Sequence, residues 1–130
     1  EYEGLRFIFD GYHVRTAQIL FDPKKLKEQF EKFSEETKVN FTPPEDVINN
    51  LGYNVMNGLK NYDLSMQFFQ MNIDYYPQSP NVYDSMGEAW MKKGDNKKAI
   101  EYHKKSLALN PNNQNAKDMI TKMETVKSGQ

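Results

Sequence analysis

Apolar residues recur at helical spacing along most of the chain. Leu26, Phe30 and Phe33 follow one another at i, i+4 and i+7, which is the pattern of one buried helix face. Five further stripes follow: Val47, Ile48, Leu51, Val55 and Leu59; Tyr62, Met66, Phe69, Ile73 and Tyr76; Val82, Tyr83, Met86, Ala89 and Trp90; Ala99, Ile100, His103, Leu107 and Leu109; Ala116, Met119, Ile120 and Met123. Since no segment alternates with a period of two, the pattern predicts an all-α fold.

Proline, glycine and capping residues separate the stripes and set the predicted helix ends. Asp22 and Pro23 suit the start of a helix that runs to about Lys38, because aspartate caps free N–H groups and proline fits the first turn. Pro77 and Pro111 end helices because they lack the N–H that a helix requires. The other predicted helices are 45–57, 62–76, 80–93, 95–110 and 113–126, with a short one around Leu5, Ile8 and Phe9 that Gly11 ends.

One arrangement of small, large and proline positions occurs twice. Tyr83-x-x-Met86-Gly87-x-x-Trp90 is followed by Ala99-x-x-x-His103 and Pro111, and 34 residues before that proline stands Pro77. Pro77 is preceded by Ile48-x-x-Leu51-Gly52-x-x-Val55 and Ser65-x-x-x-Phe69. A period of 34 is typical of a helix–turn–helix solenoid. Asn81-x-x-Asp84 recurs as Asn115-x-x-Asp118, so the last helix is predicted to be the first half of a third repeat that acts as a polar cap.

Residues 45–126 resemble tetratricopeptide repeats, with two full units and a capping helix. The resemblance implies a solenoid of antiparallel helix pairs, in which Gly52 and Gly87 let the helices of each pair approach closely. The second unit departs from the family pattern at His103, where an aromatic residue is usual, and at Ser106. The first unit departs at Val55 and Ser65, and we expect the loop between its helices to be one residue longer.

A second resemblance covers nearly the whole chain. Its motifs are Gly4-Leu5-Arg6-Phe7-Ile8-Phe9, Pro43-Pro44-Glu45, Ile48-Asn49-x-Leu51-Gly52-Tyr53, Asn72-Ile73-x-x-Tyr76-Pro77 and Asn81-Val82-Tyr83-Asp84-Ser85-Met86-Gly87-Glu88. They are similar to the carboxy-terminal region of a group of bacterial esterases, in which a hydrolase domain resembling siderophore esterases precedes a tetratricopeptide tail. The resemblance implies that the catalytic domain of the parent protein, a serine esterase or hydrolase, lies before Glu1.

Composition narrows the classes of function. The chain has 130 residues, a net charge of -1 and no cysteine, which excludes disulfides and thiolate metal sites. No apolar run approaches the ~20 residues of a membrane helix, so we expect no membrane partner. The chain starts at Glu1 rather than methionine, and we expect it to be either a domain of a longer protein or a mature form, in both cases without its targeting region. The compartment therefore stays open.

The chain lacks the motifs of common catalytic sites. It contains no Gly-x-Ser-x-Gly elbow, and its histidines, His13 and His103, lie 90 residues apart without metal-ligand spacing. His103 falls on a packing stripe, which predicts a hydrogen-bonded core residue rather than a catalytic base. No glycine-rich phosphate loop occurs. We therefore expect no enzyme activity in this fragment, no metal and no cofactor.

A groove on the first helices of the pairs is the remaining candidate site. Its predicted residues are Asn49, Asn50, Tyr53, Asp84, Glu88, Met91 and Lys92, with Met56, Asp118 and Lys122 also expected to point outward. These side chains could hydrogen-bond an extended peptide, and the alternative is a solvated surface without a ligand. A cluster of six lysines, Lys92, Lys93, Lys97, Lys98, Lys104 and Lys105, is interpreted as a solvated face. Because stacking aromatics are not interleaved with it, nucleic acid is not expected as a partner.

The sequence therefore predicts a repeat domain over 45–126 and an amino-terminal linker or helical segment over 1–42. The leading function is a protein–protein or interdomain contact, including contact with the parent's own catalytic domain. The alternatives are an autonomous peptide-binding adaptor and a homodimerisation module built on the apolar residues of 1–21.

Overall fold

The structure, a computed structural model, describes residues 22–128 and the side chains of residues 22–125. Within that range the secondary structure is helical and contains no strand, which confirms the all-α prediction there. The helices are α1 (Pro23–Thr37), α2 (Glu45–Asn54), a π-helical turn (Val55–Leu59), α3 (Tyr62–Tyr75), α4 (Pro80–Lys93), α5 (Asn96–Leu109) and α6 (Gln114–Ser128). The predicted helix around Leu5 and the apolar segment 1–21 lie outside the described residues. The chain divides between Pro43 and Pro44 into two compact units.

The first unit contains α1, whose start matches the prediction. The Asp22 side chain accepts a hydrogen bond from the Lys24 backbone N–H at 3.0 Å. After the helix the chain turns back, and the Phe41 N–H donates to Ser34 Oγ at 2.8 Å. The Phe33 and Phe41 rings pack with centroids 4.7 Å apart. These contacts fix the residues that follow α1 against its last turns.

In the second unit α2 pairs with α3, and α4 pairs with α5. Within each pair a connection of two residues leads into the second helix, and the two connections are equivalent. Lys60 and Gly94 both have a left-handed backbone, with φ of 55° and 103°. The next residues, Asn61 and Asp95, both cap the following helix by accepting from a backbone N–H at 3.1 Å. Residues 34 positions apart thus have the same role in the two connections.

The extra residue of the first pair lies in the helix rather than in the loop. The prediction of a longer loop is therefore wrong about its place. Gly52 and Gly87 are 35 positions apart, whereas Lys60 and Gly94 are 34 apart, so the additional residue falls between Gly52 and Lys60. The π-helical turn Val55–Leu59 accommodates it, because a π turn holds one residue more than an α turn.

The two helix pairs cross at equivalent glycines. A Cβ atom at Gly52 would overlap the Phe69 ring, lying 2.7 Å from Cδ1 and 2.8 Å from Cζ. A Cβ atom at Gly87 would lie 2.8 Å from Nε2 of His103. Since Phe69 and His103 are themselves 34 positions apart, both pairs place one ring against one glycine. Both glycines are buried, so any side chain there would have to displace the ring.

The core of the second unit lies around these crossings. Met56, Phe69, Met86 and Ala89 form its buried cluster. Partly buried aromatic and aliphatic residues surround this cluster: Tyr53, Tyr62, Met66, Ile73, Trp90 and Tyr102. At the other end of the first pair, Asn72 Nδ2 donates to the Glu45 carbonyl oxygen at 3.1 Å. This bond joins the start of α2 to the end of α3, as an antiparallel pair requires.

Candidate functional site

Four of the seven predicted groove residues take part in contacts of α4 with α2 or with the π-helical turn that follows α2. Two side-chain hydrogen bonds join α4 to α2, Ser85 Oγ to Asn49 Oδ1 at 2.5 Å and Tyr53 Oη to Glu88 Oε1 at 3.2 Å, and a third joins Lys92 Nζ to Asn57 Oδ1 of the π-helical turn at 3.2 Å. The paired residues are 35 or 36 positions apart. These hydrogen bonds place the first helices of the two pairs side by side, and they use much of the polar surface that the sequence assigned to a ligand.

The part of this face that remains open to a partner is smaller than predicted. Asn50 and Lys92 are exposed, and Met91 is half-buried. Asp118 and Lys122 on α6 are also exposed. Met56 has none of its surface exposed, so the prediction that it points outward is wrong. It lies in the core because the π-helical turn carries it under α4, where it joins Met86 and Ala89.

Asp84 lies in a polar cluster between helices rather than in an open groove. Its Oδ1 is 2.9 Å from His103 Nδ1, and its Oδ2 accepts from Asn113 Nδ2 at 2.6 Å. Asn113 Nδ2 also donates to Ser106 Oγ at 2.8 Å. The Asp84 side chain is 13% exposed, and His103 is 1% exposed. The interpretation of His103 as a hydrogen-bonded core residue is confirmed, whereas Asp84 has no carboxylate oxygen left free of a partner.

Asn113 is the residue of this cluster that the sequence analysis missed. Its side-chain oxygen accepts from the Ala116 N–H at 3.2 Å, which caps α6, while its amide nitrogen reaches Asp84 and Ser106. An asparagine placed just before a helix predicts the cap. The contact with Asp84 spans 29 residues, and only the packing of the helices brings the two together.

The histidine–aspartate pair is not arranged for acid–base catalysis. The Nε2 edge of His103, which would have to reach a nucleophile, is buried without a hydrogen-bond partner against Gly87. The two nearby hydroxyls, Ser85 and Ser106, are engaged with Asn49 and Asn113. A general base must lie within hydrogen-bond reach of the proton that it takes. With Nδ1 bonded to Asp84, the imidazole packs against Gly87 and makes one polar contact.

The surface that α2 and α4 form together, the α2–α4 face, carries Asn49, Asn50, Tyr53, Glu88, Met91 and Lys92. Within it, the Tyr53 hydroxyl has a shifted pKa. Its ring packs edge-on against Phe69 with centroids 5.3 Å apart, and its hydroxyl meets Glu88. Burial raises the pKa of the Tyr53 hydroxyl to about 12, the Glu88 and Asp84 carboxylates add to the rise, and a hydrogen bond with Ser85 opposes it. The phenol therefore stays protonated and can donate to Glu88.

Replacing Tyr53 with phenylalanine should flatten the alkaline dependence of stability. The pKa of Tyr53 in the folded chain is raised above the ordinary tyrosine value of 10.0. The folded state thus keeps a proton that the unfolded state loses between pH 10 and about 12, and stability falls as the pH rises through that window. Urea unfolding at pH 9, 10 and 11 should show a shallower loss in Tyr53→Phe than in the wild type. Glu88→Gln should reduce the fall of stability with pH in part. An equal fall in all three proteins would show that the Tyr53 hydroxyl is not buried beside Glu88.

The lysine cluster is accompanied by aromatic rings, contrary to the sequence-based argument. Lys98 Nζ lies 4.3 Å from the Trp90 ring centroid, and Lys105 Nζ lies 4.9 Å from that of Tyr102. Lys93 makes an ion pair with Asp63 at 2.5 Å. Trp90 lies on a core-facing stripe and Tyr102 packs against the same core, so each ring is partly buried and only part of it reaches the surface. Two of the rings are thus covered by ammonium groups.

Neither a membrane span, a metal site nor a known family is found for this protein within the residues that the structure describes and the sequence comparisons. Among the described residues, no helix is long and apolar enough to cross a membrane, and no group of His, Cys, Asp and Glu side chains could hold a metal ion. In sequence comparison, no known protein family and no curated protein matches this chain. The resemblances to tetratricopeptide repeats and to bacterial esterases therefore stay predictions.

Proposed function

We propose that residues 45–126 are a non-catalytic helical repeat module of the tetratricopeptide type, which acts by contact with protein. The observation that carries this proposal is the repeated crossing. Phe69 meets Gly52 as His103 meets Gly87, and the connections between the helices of each pair have the same length and the same caps. A chain that repeats one packing unit builds an extended surface from the same helix of each unit, and such surfaces serve to bind.

The α2–α4 face supplies the chemistry for such a contact. Asn50 offers an exposed amide that can both donate to and accept from the backbone of an extended segment. Met91 adds a flexible apolar side chain, and Lys92 adds a charge next to Asn57. Because Asp84 is turned away into the cluster with His103, Glu88 is the acid that remains at the centre of the face. The ligand is a peptide of a partner or a surface of a neighbouring domain.

The resemblance to bacterial esterases supports a larger setting. We propose that the module is the carboxy-terminal part of a longer bacterial hydrolase, so that the catalytic domain itself is one candidate for the contact. The test is the coding sequence immediately before Glu1. A Gly-x-Ser-x-Gly elbow between a predicted strand and helix supports the proposal, and an upstream region with no hydrolase pattern overturns it while leaving the repeat module intact.

Photocrosslinking from the α2–α4 face should identify the contact. We expect a benzoylphenylalanine at position 50 of the full-length protein, expressed in its natural host, to give one dominant crosslink, identified by mass spectrometry. The same probe at position 67, which is exposed on α3, serves as the control. Glu88→Lys in the same chain should lower the yield from position 50 by at least about fivefold, because it reverses the charge at the centre of the face. Asn50 is a better probe position than Tyr53, since Tyr53 also packs on Phe69.

Two results would contradict the proposal. The first is equal crosslinking from positions 50 and 67, or none from either, which would show that the α2–α4 face makes no specific contact. The second is saturable hydrolysis of p-nitrophenyl acetate or butyrate by residues 1–130 alone, which would show that the fragment is catalytic. We expect only the hydrolysis that the buffer gives without protein.

A further inference from the structure

A cleft lies on another face of the second unit, lined by α3, α5 and the turn that enters α4. Its volume is about 380 Å³, within the range of sites that enclose a small ligand or a few side chains. Aliphatic and aromatic side chains supply much of the lining: Ile73, Pro77, Tyr83, Tyr102 and Leu109. Leu109 is one of the few large aliphatic residues of the described chain that is exposed, at 38%. The cleft can therefore cover an apolar side chain from outside.

One charged group belongs to the lining. Lys105 projects from α5, and its Nζ lies 4.9 Å from the centroid of the Tyr102 ring. This contact places the ammonium group of an exposed lysine at the wall of the cleft. On the facing side the Tyr83 hydroxyl donates to the Pro77 carbonyl oxygen at 2.8 Å, so that carbonyl is already satisfied. The fixed charge that a ligand meets here is positive.

The α5 side of the cleft has the same sign, whereas on α3 the Asp74 carboxylate accepts from the lining residue Gln70 at 3.0 Å. The exposed residues of α5 include Lys97, Lys98, Lys104 and Lys105 but only one acid, Glu101. Because the whole chain has a net charge of -1, this positive surface is a local feature and not a general excess of lysine. A positive patch favours partners of the opposite charge through both steering and contact. The apolar cleft and the lysines together define a ligand that is acidic and carries an aliphatic side chain.

We propose that this cleft binds a short acidic peptide segment of another protein. A leucine-sized side chain of the segment enters between Leu109 and Tyr102, and an adjacent Asp or Glu carboxylate pairs with Lys105. A peptide fits better than single-stranded nucleic acid, because bases require free aromatic faces for stacking. Here Lys98 covers Trp90 at 4.3 Å, and Lys105 covers Tyr102. The inference rests on the proposed function only in taking protein as the class of ligand.

Fluorescence polarisation with synthetic peptides tests the proposal. The probe is fluorescein-labelled Gly-Glu-Glu-Leu-Glu-Glu-Gly, and the matched probes replace either all glutamates with glutamine or leucine with serine. We expect saturable binding of the first probe with a dissociation constant below about 1 mM. We expect at least tenfold weaker binding of the glutamine probe and at least fivefold weaker binding of the serine probe.

The chain offers a matched control for each wall of the cleft. Lys105→Glu should weaken binding at least tenfold. Lys104→Glu makes the same charge change next to the cleft and should weaken binding by less than about threefold. Leu109→Ser should weaken binding about fivefold, and Leu59→Ser, at another exposed leucine, should leave it unchanged. Circular dichroism of each variant checks that the helices are retained.

Several outcomes would overturn the proposal. They are no saturable binding up to several millimolar peptide, equal binding of the glutamate and glutamine probes, or equal loss in Lys104→Glu and Lys105→Glu. Tighter binding of oligothymidylate that displaces the peptide would assign the surface to nucleic acid instead. If the peptide fails but position 50 still crosslinks specifically, the cleft proposal falls and the proposed function stands. If position 50 gives no specific crosslink but the peptide binds, the α2–α4 face is not the contact surface.

Discussion

Replacing Gly52 with alanine should lower the free energy of unfolding by about 2 kcal/mol, even though alanine is the better helix former. Alanine in place of glycine within a helix favours folding by about 1 kcal/mol. At Gly52, however, the new methyl group would overlap the Phe69 ring. None of the Phe69 surface is exposed, so the ring can move away only by displacing other core residues. The cost of overpacking therefore exceeds the gain in helix propensity.

Gly58→Ala is the matched control for this prediction. It lies in the π-helical turn of the same helix, and a Cβ atom there would meet nothing within 4 Å. Urea unfolding should therefore show Gly58→Ala to be unchanged or stabilised by up to about 1 kcal/mol. Phe69→Leu combined with Gly52→Ala should be less destabilised than the sum of the single changes, because the two sites share one contact. Equal effects at Gly52 and Gly58 would show that the helices do not cross at Gly52.

Replacing Asp84 with alanine should destabilise the fold by about 3 kcal/mol, the cost of leaving buried donors without an acceptor. The carboxylate accepts from both His103 and Asn113. Without it, the imidazole N–H loses its partner, and no water can replace that partner because the His103 side chain is only 1% exposed. Asn113 keeps Ser106 as a partner, so most of the loss falls on His103. Thermal and urea unfolding should agree on the size of the change.

Asp118→Ala is the control that the repeat supplies. Asp118 stands 34 positions after Asp84 in the same sequence pattern, but it is exposed and its side chain only accepts from Gln114. Its replacement should change the free energy of unfolding by no more than about 0.5 kcal/mol. If Asp84→Ala is as mild as Asp118→Ala, the buried cluster is not a structural element of the fold.

The helices of the described residues follow closely from the sequence. Pro23, Pro77, Pro80 and Gly94 act through the local backbone, and local backbone chemistry can be read without knowing the fold. The apolar stripes predict the buried side less well, because in α3 only Phe69 of the predicted stripe is buried, and the stripe residues Leu59 and Leu109 are exposed. The predicted ends of α1, α3, α4 and α5 accordingly lie within one or two residues of the observed ends.

The details of the candidate site depend on how the helices pack on one another. The sequence places Asp84 and Asn49 on outward positions, but it does not say whether an outward side chain meets solvent or the next helix. Asp84 meets His103 and Asn113, and Asn49 meets Ser85. Hydrogen bonds between residues 19 to 36 positions apart have no periodic trace in the sequence.

The π-helical turn is a second feature that the sequence alone did not predict. The spacing between Gly52 and Phe69 reveals that one residue is added to the first pair. A loop is the usual place for an added residue, because loops tolerate insertions. The matched connections at Lys60 and Gly94 leave no room for it, and the helix widens instead. The consequence reaches the site, because the wider turn buries Met56 and brings Asn57 to Lys92.

The most direct test of the account is to give the second helix pair the residues of the first. Asn49 and Phe69 of the first pair correspond to Asp84 and His103 of the second, at offsets of 35 and 34. If both pairs are copies of one packing unit, the double variant Asp84→Asn, His103→Phe should have a free energy of unfolding in urea within about 1 kcal/mol of the wild type. Each single change should lower that free energy by more. A double variant that is destabilised by the full sum of the single changes would contradict the claim that the two pairs are repeats.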